Sequence, residues 1–274
     1  GANGGSAGFA SGVRTDGQGN TTAGRESGFT AANGARGESS TVAHQNADGS
    51  GSFNRQRQVT GAGGGSYSAT SSGVRNADGS ASAQVNRTGV NGSTAAKSYN
   101  RDAAGDVNAS VDKKGVNGGS VDKDYTKNAN GSSSYDVTRT TASGATVTKD
   151  YTRNANGQVT GDVTRTGANG STASTAVNGS VTPGAVSSQR STSYSGVNGA
   201  GGTRDVQFQA GNGTVSRSVN GSGTTAGGGS YNRSSGGSAT AGVGVSSKVN
   251  VTATSASGAT ATHTGSTSVS TQPH

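Results

Sequence analysis

Between residues 78 and 170 a turn-like pair ending in Gly returns every thirteen positions, running Asp78-Gly79, Asn91-Gly92, Ala104-Gly105, Asn117-Gly118, Asn130-Gly131, Ser143-Gly144, Asn156-Gly157 and Asn169-Gly170. Such pairs reverse or corner a chain, so they limit each element to the residues between two marks. Over residues 1–77 the spacing is about fifteen, starting at Asn3-Gly4; over 171–274 it is fourteen or fifteen, through Pro183-Gly184, Asn198-Gly199 and Asn212-Gly213. Nineteen marks of this kind predict about twenty segments in a single repetitive domain spanning 1–274.

The text between the marks also recurs, at a spacing of 26: Tyr99, Tyr125 and Tyr151 with Lys97, Lys123 and Lys149; and Val85, Val111, Val137 and Val163 with Arg87, Lys113, Arg139 and Arg165. The repeat is therefore a pair of segments, each closed by a turn. The segments are rich in Val, Thr and Tyr, which suit strands, and none has a 3.6-residue apolar period. Asn-Gly and Asp-Gly favour the type I′ turn of two-residue hairpins. The expectation is all-β, with strands of about eleven residues, roughly 37 Å long, and almost no helix. Asp78, Asn91, Asn117, Asn130, Asn156 and Asn169 are its structural turns.

Composition excludes an ordinary core. Leu, Ile, Met, Trp and Cys are absent from the 274 residues, Gly contributes 50, and the large side chains are seven Tyr and four Phe. Disorder is the bland reading of such a list; the regular repeat argues against it. No apolar run is long enough to span a membrane. No leader is visible, as expected of a mature exported chain, and the tail "STQPH" reads as a natural C-terminus. The net charge of +8 permits anionic polysaccharide or extracellular DNA as partners.

A two-segment repeat fits an antiparallel meander or, alternatively, a β-solenoid with coils of 26 to 30 residues. A solenoid would stack Arg75, Arg101, Lys127 and Arg153 in one cationic column, and like charges directly opposite are unfavourable. In a meander folded tightly about Asn130-Gly131, Tyr125 faces Asp136 and Arg139 faces Asp122. About Asn156-Gly157, Tyr151 faces Asp162, and Lys149 faces Thr164 beside it. The meander is preferred. It makes Tyr99, Tyr125, Tyr151, Val111, Val137 and Val163 packing rows. Lys123, Lys149, Arg139, Arg165, Asp136 and Asp162 form cross-strand charge rows. On this register each face mixes oily and polar residues and needs a further layer.

No catalytic residue, cofactor or metal site is expected. His44, His263 and His274 lack ligand spacing, and the Asp122/Asp124 pair has cationic neighbours that make it ordinary charge balance. "GAGGGS" at 61–66 lacks the Lys-Ser/Thr of a phosphate loop. Asn-x-Ser/Thr triplets at Asn91, Asn130, Asn169 and Asn178 follow from composition alone.

The alternation of "YTRNANG" and "VTRTGANG" resembles the Gly/Asn/Thr-rich repeat proteins secreted by bacteria and, more loosely, curlin-like functional-amyloid subunits, although Gln is scarcer here. The resemblance implies an extracellular, fibre-forming matrix component. The expected function is thus a structural, non-enzymatic subunit of an extracellular filament or biofilm-matrix fibre, pairing with further copies of itself. The alternative is an ice- or surface-binding protein using Thr arrays such as Thr138, Thr140, Thr164 and Thr166. That reading needs a flat face without charges, whereas the register above puts charges on both. An adhesin stalk is a third reading.

Overall fold

The computed structural model describes residues 4–270; Asn3, His274 and the tail beyond Ser270 lie outside the described residues. The described chain is all-β, an antiparallel meander with nineteen strands and no helix. It divides into two compact units, one running to Ala129 and including Arg139–Ala142, the other Asn130–Thr138 and the chain from Ser143 onward.

The first unit contains β1 (Ser6–Thr15), β2 (Thr21–Thr30), β3 (Arg36–Gln45), β4 (Gly51–Thr60), β5 (Ser66–Arg75), β6 (Ala81–Thr88), β7 (Thr94–Arg101), β8 (Val107–Lys114) and β9 (Ser120–Lys127). Each pairs antiparallel with its successor. The residues of β10 (Ser133–Thr140) are divided between the two units. The second unit continues with β11 (Thr146–Arg153), β12 (Gln158–Thr166), β13 (Thr172–Thr182), β14 (Ala185–Ser195), β15 (Gly201–Gly211), β16 (Thr214–Thr224), β17 (Ser230–Thr240), β18 (Gly244–Thr254) and β19 (Thr260–Ser270). These too pair antiparallel in chain order. Pairing between sequence neighbours replaces the coil-on-coil stacking of a solenoid.

The turns differ from expectation. At Asn156-Gly157 the Gly157 N–H donates to the Asn154 carbonyl at 3.1 Å and the Asn154 N–H to the Gln158 carbonyl at 2.9 Å. Gly157 has φ 81°, while Asn156 is not in the left-handed region. This is a type I turn closed by a left-handed Gly, the three-residue hairpin link with a bulge. The same bond pair closes Asn76–Ser80 and Gly167–Ser171, among others. The two-residue type I′ turn occurs at Asn212-Gly213, with φ 51° and 72°. Pro183-Gly184 also makes a two-residue link, since Thr182 pairs with Ala185. Pro cannot reach positive φ, and Gly184 at φ 80° gives it the type II form.

Because the bulged turn consumes five residues, the thirteen-residue repeat leaves strands of 8 in β7 to β11 rather than eleven. The extra turn residue also moves the register by one. Tyr151 lies opposite Gly161, Lys149 opposite Val163, and Asp162 opposite Asp150. The expected pairings of Tyr151 with Asp162 and of Lys149 with Thr164 are therefore wrong. A slip of one residue exchanges every neighbour across the strand for one from the other face.

Little is buried. Among the described residues Val163, at 7% exposure, is the one buried hydrophobic side chain. The exposed surface is 17014 Å², against about 10,600 Å² for a compact monomer of this mass, an excess of about 6,400 Å². Backbone ladders and turn bonds hold the units, and both faces of each sheet meet solvent.

Candidate functional site

The observed registers sort the side chains by chemistry. In the first unit every strand pairing joins residues of the same parity, so odd-numbered residues share one face and even-numbered residues the other. The odd face of β1 to β9 carries every aromatic residue of those strands, together with Arg25, Arg55, Arg57, Arg75, Arg87, Lys97, Arg101, Lys113, Lys123 and Lys127. It carries no Asp or Glu. The acids of these strands, Glu26, Glu38, Asp112, Asp122 and Asp124, lie on the even face among Ser, Thr, Asn and Gln; the cations there are Arg14, Arg36 and Lys114.

The second unit repeats the division. One face holds Lys149, Tyr151, Arg153, Arg165, Arg190, Tyr194, Arg204, Phe208, Arg217, Tyr231 and Arg233, again without a carboxylate in β11 to β19. The opposite face is a lattice of hydroxyls. One of its rows runs Thr148, Thr164, Ser174, Ser193, Thr203, Ser222 and, past Asn232, on to Thr252 and Thr262. Its charged strand residues are Asp150, Asp162, Asp205 and Lys248. The two-residue turns at Pro183-Gly184 and Asn212-Gly213 each reverse the parity, which keeps the division intact when the numbering of the repeats shifts.

The expectation that both faces mix oily and polar residues is thus overturned. Lys123 sits opposite Val111, and Arg165 opposite Val147 and Ala173. Asp162 lies on the other face from Lys149 and Arg165. In β10 the alternation of the strand itself puts Tyr135, Val137 and Arg139 on one side and Asp136, Thr138 and Thr140 on the other.

The rings lie across the sheet over small residues. A Cβ on Gly37 would strike the Phe29 ring, one on Gly73 the Phe53 ring, and one on Gly161 the Tyr151 ring. Tyr194 and Tyr231 reach toward each other across Gly202 and Gly223, and their hydroxyls meet at 2.8 Å. That bond pushes the Tyr194 pKa up from its ordinary value. Tyr99 and Tyr125 both oppose Ala109. Arg57 stands 5.9 Å from the Tyr67 ring centre, a cation–π distance. The glycines under these rings were not singled out in the sequence. A signal for them exists: every aromatic residue up to Tyr151 has an odd number, which a fixed period-2 face requires.

Hydroxyl pairs stitch the other face, as in Ser98–Ser110 at 2.7 Å, Thr152–Thr160 at 2.7 Å and Ser238–Ser246 at 3.0 Å. At the turns the Asx side chain does the corresponding work. Asn169 Oδ1 accepts from the Ser171 N–H at 3.1 Å and from its Oγ at 2.8 Å. Asp78, Asn91 and Asn130 do the same with the Ser two residues on. Turn chemistry, not composition alone, accounts for those Asn-Gly-Ser triplets. The Ser50 hydroxyl holds the Asp48 pKa below the ordinary carboxylate value, the Ser80 hydroxyl does so for Asp78, and the Asn20 side-chain amide for Asp16. Asn117 precedes Gly118 in the same bulged turn, and the Asn156 N–H donates to Asn154 Oδ1 at 3.1 Å.

No group of three His, Cys, Asp or Glu among the described residues could hold a metal ion. Asp112 and Asp122 face one another, with Asp124 two positions along the same face. No family model, no curated protein and no solved structure matches this chain.

Proposed function

We propose that this chain is a structural subunit of an extracellular, self-assembling filament or biofilm-matrix fibre of a bacterium. The carrying observation is surface left unburied by folding: about 6,400 Å² beyond that of a compact protein of this mass, with one buried hydrophobic side chain in the described residues. A stable protein–protein contact needs about 1,200–2,000 Å² in all, so the excess suffices for more than one contact per copy. The resemblance to secreted Gly/Asn/Thr-rich repeats supports the extracellular setting. Light scattering across salt and concentration, with negative-stain microscopy of the same samples, tests the reading. Filaments or layered fibres support it, and a chain that stays monomeric throughout sinks it.

The hydroxyl face of the second unit favours a second reading, binding to ice or another ordered surface. Charges on both faces counted against it on the expected register. On the observed one, this face keeps Asp150, Asp162, Asp205 and Lys248 but loses every other strand cation of the unit, and rows such as Thr148, Thr164, Ser174 and Ser193 between them carry no charge. Thermal hysteresis by monodisperse protein, abolished by Thr164→Lys and Thr203→Lys together, would select this reading; no hysteresis would discard it.

A further inference from the structure

We propose that the cationic face of the first unit binds a linear acidic polysaccharide, laid across Lys97, Tyr99, Arg101, Lys123, Tyr125 and Lys127. The inference goes beyond self-assembly and does not depend on it, since a single copy carries the whole surface.

Net charge alone would not place the site; the division of charge does. Were the cations present for solubility or charge balance, carboxylates would stand among them. Instead the acids of β1 to β9 all lie on the reverse face. Burying this face against a second copy's cationic face would set like charges together. The reverse face has too few carboxylates to neutralise it, and unpaired charges removed from water are costly. The occupant that satisfies the face is a hydrated polyanion.

The arrangement fits sugar chains. On β7 and again on β9 a ring is flanked on its own face by cations two residues away, about 6.8 Å to either side. Tyr99 and Tyr125 are 39% and 37% exposed. They flank Ala109, too small to rise between them. Two strand steps, about 9.6 Å, separate the two cation–Tyr–cation sets. A pyranose can rest its C–H surface on each ring while its carboxylates reach the cations at either end. Double-stranded DNA is a poorer match: each of its strands carries a charge about every 3.4 Å along the axis, far denser than these rows.

The test uses the full chain on immobilised alginate, a polyuronate, with neutral dextran as control and oligothymidine as competitor. Two variants lose the same charge: K97Q/R101Q/K123Q/K127Q from the cationic face of the first unit, and R14Q/R36Q/K114Q/K248Q from the hydroxyl and carboxylate face of each unit. Circular dichroism checks that each keeps its strand signal. The wild type should bind alginate in a salt-sensitive manner and ignore dextran. The first variant should bind roughly tenfold more weakly or worse, each exposed charge pair contributing a factor of about 1.5 to 5. The reverse-face variant should stay within about twofold. Y99L/Y125L, which keeps every charge, should also weaken binding. Equal loss by the two charge variants would reduce the effect to net charge and overturn the proposal. So would an absence of alginate binding, an unaltered Y99L/Y125L, or tighter binding of oligothymidine than of alginate. Should a charge variant lose its strand signal, the Tyr variant and the competition decide by themselves.

Discussion

Replacing Gly161 with Ala should destabilise this protein, although Ala normally improves a strand. The Cβ would lie 2.7 Å from Cε1 of the Tyr151 ring and 2.8 Å from the Asp150 carbonyl oxygen. Real side chains do not tolerate either distance. The ring must swing away, exposing about 50 Å² of apolar surface, which costs about 1.2 kcal/mol. The carbonyl is backbone and can yield only if the strand shifts, adding about 1 kcal/mol of overpacking. Relief of glycine's chain entropy returns about 0.5–1 kcal/mol. The net expectation is a loss of about 1–2 kcal/mol. Gly24, in β2, provides the contrast: nothing lies within 4 Å of the Cβ it would gain, so Gly24→Ala should stabilise by about 0.5–1 kcal/mol. Stability in a repeat array is largely local, so native-state amide exchange within β11 and β12, and within β2, is the suitable assay. Tyr151→Thr in the Gly161→Ala background should bring the cost of the Ala close to zero, because no ring remains to displace and the carbonyl contact is left to offset the entropy gain. If Gly161→Ala protects its strands as Gly24→Ala does, the ring does not lie over Gly161 and the pairing of Tyr151 with Gly161 fails.

Tyr231→Phe should let the raised Tyr194 pKa fall back toward 10.0, read by ultraviolet difference titration. The stability from that hydroxyl bond is complete below pH 10 and is lost as pH rises through the raised value. The carboxylates at Asp16, Asp48 and Asp78 behave in the opposite sense. Their lowered pKa values give stability that is present above 3.8 and lost as pH falls below it. Ser80→Ala should move Asp78 back toward 3.8 in an NMR titration. The two kinds of turn separate by substitution. Asn212→Val should cost about 1–2 kcal/mol, because a β-branched residue resists the left-handed conformation. Asn156→Val, at ordinary φ, should cost well under half of that; equal losses in chemical denaturation would show the turn types to be misassigned.

The strand content was legible because its causes are local. Asn-Gly and Asp-Gly end strands wherever they stand, and Val, Thr and Tyr between them suit a pleated ladder. The link at Pro183-Gly184 was equally readable as punctuation. Less legible was what occurs inside each turn. Asn156-Gly157 and Asn212-Gly213 are the same dipeptide, yet the first forms part of a three-residue bulged link and the second a two-residue one. The difference lies in how many neighbouring residues join the turn, and that is settled by whether the flanking strands then pair well. One residue in the link decides whether Tyr151 meets Asp162 or Gly161. The odd numbering of the aromatic residues up to Tyr151 could have pointed to the right answer, since only an odd-length link keeps them on one face.

From its sequence alone this protein was determined to be a series of short β-strands with corners at the Gly-ended marks, too poor in large apolar residues to bury a conventional core. Those properties follow from backbone preferences and side-chain volume, which each segment carries by itself. The tertiary structure alone decided the register, and with it the separation of an aromatic, cationic face from a hydroxyl and carboxylate face. Facing residues come from different strands, and their match depends on the geometry of the link between them. A charge has a sign in the sequence, but it acquires a side of the sheet only when the strands pair.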